Sequence, residues 1–168
     1  FVTPTPEQNG IRSVADAGYR EVVLTGANMG CYHDGPSRLV DLIEHVENIS
    51  GIQRIRLSSI ELSTVERQII DYMATSEKLC RTFHLPLQSG DPGILAAMGR
   101  HYTPDDYRRF VDNALNRIPL LGLGADVLVG FPGETTKAFE NTRRLVEDIP
   151  FSNLHVFTYS KRPGTRAA

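Results

Sequence analysis

Segments with helical periodicity alternate with short apolar runs along the whole chain, and this alternation limits the possible folds. The apolar runs lie at residues 21–24, 52–57, 83–87, 123–129 and 153–157, and each follows a segment with helical periodicity. Repeated helix–strand alternation predicts a parallel sheet with right-handed crossover connections. Because most of these runs are continuously apolar, we expect both faces of the sheet to be covered. The pattern therefore indicates an α/β fold and a single domain over residues 1–168.

Capping residues mark several of the predicted helices. Asp91 and Thr103 each precede a proline, which is typical of a helix start, and Gly18 is typical of a helix end. A helix is predicted over residues 37–49 from its apolar spacing. The next helix carries apolar residues at the same spacing, namely Val65, Ile69, Ile70 and Met73.

Composition excludes several classes of protein. The chain is 40% hydrophobic with a net charge of −2, so it has enough material for a core and no overall attraction to nucleic acid. No apolar run approaches the roughly 18 residues of a membrane span. The two cysteines, Cys31 and Cys80, form no CxxC pair, which argues against a disulfide framework. We expect a cytoplasmic protein that does not bind membranes.

Polar and small residues follow the strands where ordinary turns would be expected. In a parallel barrel the carboxyl ends of the strands share one face, and ligand sites lie there. A glycine after a strand lets a ligand approach the backbone, and neutral polar side chains suit a ribose or an amino-acid group. The ends in question are residues 25–28, 58–61, 88–90, 130–135 and 159–160. Residues of these types are also common in ordinary loops. The pattern alone is therefore consistent with a ligand site and with simple turns.

Taken together, these segments resemble the radical S-adenosylmethionine (radical SAM) methylthiotransferases. The similarity extends over nearly the whole chain, with five motifs in the family's order. They are residues 21–28 (EVVLTGAN), 56–61 (RLSSIE), 84–90 (HLPLQSG), 126–135 (DVLVGFPGET) and 155–165 (HVFTYSKRPGT). The residues of the second and last motifs are most similar to those of the branch that modifies N6-threonylcarbamoyladenosine in tRNA.

The resemblance implies a partial parallel (β/α) barrel with S-adenosylmethionine across the strand ends. Thr25, Gly26 and Asn28 match the segment that meets the methionine amino group. The family's other positions near this cofactor fall on Ser58, Glu61, Gln88, Ser89, Val129, Gly130, Phe157 and Tyr159. Family members use 4Fe-4S clusters to form a radical that leads to a methylthio group on a tRNA adenosine.

One departure from the family pattern affects the expected activity. The family's three-cysteine cluster loop precedes the first helix seen here, so the cluster ligands and the first strand of the barrel are expected to be missing. We therefore expect a fragment of the radical SAM domain that is inactive alone and contacts tRNA through its parent protein. The missing strand predicts an exposed sheet edge beside residues 21–24. We expect this edge to pair with another copy of the chain or to be covered by the first helix or a terminus.

Other reactive residues indicate no further site. A single thiolate at Cys31 is not a cluster ligand set. The five histidines have no HxxxH or HxH spacing, which argues against a zinc site, although His84 and His155 lie in or beside strands. A basic group could contact tRNA phosphate or simply be a solvated face; it comprises Arg100, His101, Arg108 and Arg109.

Two other functions stay open from the sequence. The first is a non-catalytic barrel module, either a degenerate homologue or a scaffold that binds RNA or protein. The second is a different barrel enzyme, which has less support because no lysine at a strand end is placed to form a Schiff base.

Overall fold

The computed structural model describes residues 6–165 and 167, with side chains from residue 10 onward. The helices are α1 (Pro6–Asp16), α2 (Leu39–Glu47), α3 (Arg67–Thr75), α4 (Pro92–Ala97), α5 (Pro104–Arg117) and α6 (Thr136–Asp148). The strands are β1 (Glu21–Leu24), β2 (His33–Asp34), β3 (Ser37–Arg38), β4 (Arg54–Leu57), β5 (Thr82–His84), β6 (Gly122–Val129) and β7 (Asn153–Thr158). No described helix is long and apolar enough to cross a membrane.

Five of the strands are parallel and follow one another in chain order. β1 pairs with β4, and β5, β6 and β7 form a second ladder. A parallel bridge between Ile55 and Leu79 joins β4 to the segment that leads into β5. This order is that of a barrel wall, and among the described residues the wall does not close. The predicted α/β parallel architecture is confirmed.

The helices cover one face of this wall, so the expectation of two covered faces was wrong. In β4, Ile55 and Leu57 are buried against the helices, whereas Arg54 and Arg56 are exposed on the opposite face. Strand residues alternate between the two faces, and β4 alternates charged with apolar residues rather than forming a continuous apolar run. We call the uncovered side the open face; its members are Glu21, Val23, Arg54, Arg56, His84, Asp126, Leu128, His155 and Phe157.

Helix starts follow the capping residues, and two predicted boundaries shift. Thr103 caps α5 in a capping box with Asp106, and Asp91 caps α4, as predicted. The helix predicted over residues 37–49 begins instead at Leu39, because Ser37–Arg38 pairs with β2 in a short hairpin. Val65 lies outside α3, at the end of a 3-10 turn over Leu62–Thr64.

Glu47, the last residue of α2, holds the connection between α3 and β5. Its carboxylate accepts hydrogen bonds from the hydroxyls of Tyr72 and Ser76 and from the backbone amides of Glu77 and Lys78. Partial burial acts to raise the pKa of Glu47, but these hydrogen bonds outweigh it, and the pKa lies below its ordinary value of 4.5. The ionised carboxylate therefore stabilises the fold.

We expect Glu47→Gln to lower the free energy of unfolding at neutral pH by about 1–3 kcal/mol, because an amide cannot accept all of these hydrogen bonds. The folded pKa is depressed, so the contribution is complete above the unfolded value and is lost as pH falls through the folded one. Urea unfolding from neutral pH to below pH 4.5 should show the parent and variant converging in acid. Glu44→Gln, on the exposed face of the same helix, is the control and should change little. An equal difference at every pH would contradict this role.

Within the described residues, β1 pairs with β4 alone, and no strand occupies its other edge. Ile11 and Ala15 of α1 pack partly buried against the core. Self-association through the edge of β1 stays a prediction.

Candidate functional site

A cavity of about 430 Å³ lies at the carboxyl end of β1. Thr25, Gly26 and Asn28, three of the predicted site residues, line it. Ser58, at the end of β4, reaches the same loop because its hydroxyl donates to the sulfur of Met29 at 3.2 Å. The structure therefore groups these four predicted residues at one end of the sheet.

A second and larger cavity, about 650 Å³, lies at the ends of β5 and β6. Gln88, Arg100 and Phe131 are among its lining residues. A cavity of about 450 Å³ shares its lining at Leu128 and is bordered by Phe157 and Tyr159. Both volumes lie in the range of about 300–1,000 Å³ that is usual for small-molecule sites.

Gln88 has a left-handed backbone conformation, which is uncommon for a residue with a side chain. Its φ is 63°, and both of its backbone hydrogen bonds join it to β6. Its amide donates to the carbonyl of Asp126 at 2.8 Å, and its carbonyl accepts from the amide of Leu128 at 2.9 Å. Such strain is concentrated at functional sites, where the surrounding structure holds it in place.

Two tyrosines support the segment that precedes Gln88. The Tyr107 hydroxyl donates to the carbonyl of Leu85 at 2.9 Å, and the Tyr102 hydroxyl donates to that of Pro86 at 2.8 Å. Burial raises the pKa of both phenols, so each remains a neutral donor. They satisfy carbonyl groups just past the end of β5, where the strand no longer provides regular partners.

Glu61 is half-buried and forms an ion pair with Arg100, with 2.6 Å between Oε2 and Nη1. Arg100 also lines the large cavity, so it is not simply part of a solvated basic face. Arg108 of α5 instead pairs with Asp148, the last residue of α6, and Arg109 pairs with Asp106 on the surface of α5. Sequence reasoning missed the role of Arg100 because Glu61 lies 39 residues away in the chain.

Five predicted site residues do not line these cavities: Ser58 and Glu61, described above, and Ser89, Val129 and Gly130. Ser89 is fully buried, and its hydroxyl lies 3.2 Å from the Thr142 hydroxyl, so it faces α6 rather than these cavities. Val129 packs partly buried against the core. Gly130 is exposed, and a Cβ added there would meet no heavy atom within 4 Å. Its φ of 75° shows that backbone conformation, not close packing, requires the glycine.

The chain carries two cysteines, fewer than the three thiolates that the family's cluster loop provides. Cys31 is exposed and lines the cavity at the end of β1, whereas Cys80 is half-buried. The residues of this chain therefore do not fit a radical SAM cluster by themselves.

Three residues on the open face also meet, although their spacing in the sequence does not indicate it. The imidazoles of His84 and His155 both lie within hydrogen-bond distance of the Asp126 carboxylate. A search for short histidine motifs does not find this cluster, because Asp126 is 42 residues from His84 and 29 from His155 in the chain.

Comparison with known proteins extends these observations. Two similar proteins are named threonylcarbamoyladenosine tRNA methylthiotransferase MtaB. The one from Thermotoga maritima is 41% identical over 90% of the chain, and the one from Chlamydia pneumoniae is 42% identical over 94% of the chain. A tRNA-2-methylthio-N(6)-dimethylallyladenosine synthase from Caldicellulosiruptor saccharolyticus is 41% identical over 94% of the chain. The chain covers 35%, 37% and 34% of these three relatives, respectively.

The fold has a solved counterpart as well. The structure of coproporphyrinogen III oxidase (HemN) from Escherichia coli, a radical SAM enzyme, matches 95% of this chain with a TM-score of 0.69. The two sequences are 14% identical, and the match covers 39% of the oxidase chain, so this likeness concerns the fold alone. The family model of the radical SAM superfamily matches residues 7–146. This chain therefore belongs to the radical SAM superfamily.

Proposed function

We propose that this chain is part of a radical SAM enzyme that adds a methylthio group to a modified adenosine in tRNA. The observation that carries the proposal is the identity of about 41% to tRNA methylthiotransferases over at least 90% of the chain. The chain spans about a third of the length of those relatives, so the activity is proposed for the complete protein and not for these residues alone.

The cavities at the strand ends would hold S-adenosylmethionine, which supplies the 5′-deoxyadenosyl radical in this family. Gln88 offers a neutral amide donor and acceptor for polar groups of the ligand. Arg100 would present a cation and Glu61 a carboxylate, while Phe131 and Leu128 provide apolar wall. Apolar lining with a few convergent polar groups is typical of cofactor sites.

Iron–sulfur chemistry must come from residues outside this chain, because its two cysteines do not form a ligand set. We expect the isolated chain to bind no 4Fe-4S cluster. The alternative function, a non-catalytic module, would share this property, so the complete protein must be tested.

The proposed substrate is N6-threonylcarbamoyladenosine. Two of the similar relatives are named for that nucleoside. The residues of the motifs at 56–61 and 155–165 also resemble that branch. The dimethylallyladenosine synthase has nearly the same identity to the chain, so overall identity does not separate the two branches.

The complete coding sequence, expressed without oxygen in a strain that lacks its own methylthiotransferases, tests the proposal. We expect mass spectrometry of digested tRNA to show the 2-methylthio derivative of threonylcarbamoyladenosine. The methylthio derivative of dimethylallyladenosine alone would assign the protein to the other branch. Neither product, from protein that carries its clusters, would favour the non-catalytic module. A variant that lacks the cluster cysteines is the control.

A further inference from the structure

His84, Asp126 and His155 form a compact cluster on the open face of β5, β6 and β7. The Asp126 Oδ1 atom lies 3.0 Å from Nε2 of His84 and 3.2 Å from Nδ1 of His155. Asp126 pairs with His155 in the parallel ladder, and His84 pairs with Gly124, two residues before Asp126. This register places the three side chains on the same face. The proposed cofactor cavities do not use them.

The donor atoms of this cluster are those that transition metals prefer. Two imidazole nitrogens and one carboxylate oxygen lie within 4.8 Å of one another. Ligand bonds of about 2.0–2.1 Å in tetrahedral geometry place neighbouring ligand atoms about 3.3 Å apart. The two distances to Asp126 are already close to that value, so small side-chain rotations that bring the histidines together would complete three ligands. We propose that His84, Asp126 and His155 bind a divalent transition-metal ion such as Zn²⁺.

The backbone beneath the cluster makes room for it. A Cβ atom at Gly124 would lie 2.8 Å from Nδ1 of His84 and 2.8 Å from Oδ1 of Asn153. Real Cβ atoms do not make contacts as short as these. A side chain at Gly124 would therefore displace the ring of His84 from its place over β6. The absence of a side chain there lets the first proposed ligand lie beside Asp126.

The cluster is also open to an incoming ion. The side chains of His84 and Asp126 are 21% and 23% exposed, and that of His155 is 58% exposed. Three protein ligands leave at least one coordination position for water or another molecule. A ring nitrogen that coordinates an ion carries no proton, so a metal-bound imidazole would carry its N–H on the other ring nitrogen. The ion would then hold β5, β6 and β7 together.

Metal titration of the chain, purified without a histidine tag and treated with chelator, tests the site. We expect one Zn²⁺ per chain by calorimetry, visible absorption bands with Co²⁺, and a higher melting temperature with Zn²⁺. His155→Ala, at the most exposed ligand, and Asp126→Asn should each weaken binding by more than about tenfold. Circular dichroism verifies that both variants fold.

Two further variants serve as controls. His33→Ala removes an exposed histidine of β2 and should leave the affinity unchanged. Cys31→Ser removes the exposed thiol, which could itself bind zinc, and should also leave the affinity unchanged. The proposal is overturned if no stoichiometric binding occurs, if Cys31→Ser abolishes it, or if His155→Ala and Asp126→Asn bind normally. The cluster would then be a hydrogen-bonded network only.

Discussion

Gly90→Ala is expected to lower the free energy of unfolding by about 3 kcal/mol or more, since overpacking against atoms that cannot rearrange lies at the high end of such effects. A Cβ at Gly90 would lie 2.6 Å from the Cα of Thr142 and 2.9 Å from the carbonyl oxygen of Asn141. Both are backbone atoms of α6, so no side-chain rotation relieves the contact. The helix would have to move as a body.

Hydrogen bonds explain why α6 lies so close to the segment after β5. The amide of Gly90 donates to the Thr142 hydroxyl at 2.9 Å, and that hydroxyl also lies near the hydroxyl of Ser89. Asn141 donates from its side chain to Asp91, the cap of α4, at 2.9 Å. Displacing α6 would therefore disrupt these contacts together, which adds to the cost of the steric clash.

Urea unfolding monitored by circular dichroism measures this effect. Gly10→Ala is the matched control, because Gly10 lies within α1 and a Cβ there would meet no heavy atom within 4 Å. Alanine should stabilise that helix by up to about 1 kcal/mol. If Gly90→Ala unfolds at the same urea concentration as the parent, the close packing of α6 on this segment is wrong.

The helices and the parallel strands could be predicted from the sequence because local patterns specify them, whereas the barrel arrangement was what the family resemblance implied. Apolar spacing identified the helices, and the caps at Asp91 and Thr103 formed as predicted. Errors arose where a short element interrupted the pattern. The β2–β3 hairpin has only two residues in each strand, too few for periodicity to reveal.

The site was predicted less completely because contacts across strands leave no local pattern. The pairs Glu61–Arg100 and His84–Asp126 join residues 39 and 42 positions apart. Ser89 shows a second cause. The left-handed backbone at Gln88 breaks the strand alternation, so the next side chain faces α6 instead of the ligand face. No pattern of residue types along this segment indicates that conformation.

The conformation of Gln88 leads to a prediction in which stability and activity change in opposite directions. A left-handed backbone costs a residue with a Cβ about 1–2 kcal/mol, whereas glycine adopts it freely. Glycine also loses more entropy on folding, by about 0.5–1 kcal/mol. Gln88→Gly should therefore raise the free energy of unfolding by up to about 1 kcal/mol. The same change removes the side chain of a residue that lines the large cavity.

Leu120 supplies a matched control for the backbone effect. It is the other described residue with a side chain and a positive φ, 57°, and it is 95% exposed between α5 and β6. Leu120→Gly should give a similar gain in stability, because the conformational relief is the same. It should leave activity unchanged, because Leu120 lines none of the three cavities at the strand ends.

In the complete protein, we expect Gln88→Gly to reduce methylthiolation of tRNA by about tenfold or more, since loss of a hydrogen bond to a charged or strongly polar ligand group costs about 1.5–3 kcal/mol. Urea unfolding of this chain and nucleoside analysis of tRNA from cells that express the complete protein measure the two effects. Full activity in Gln88→Gly would exclude Gln88 from the ligand site. Lower stability in Gln88→Gly, with a gain in Leu120→Gly, would show that the Gln88 side chain stabilises the fold rather than straining it. Higher stability with lost activity, seen only at Gln88, is the result that a strained ligand-binding residue requires.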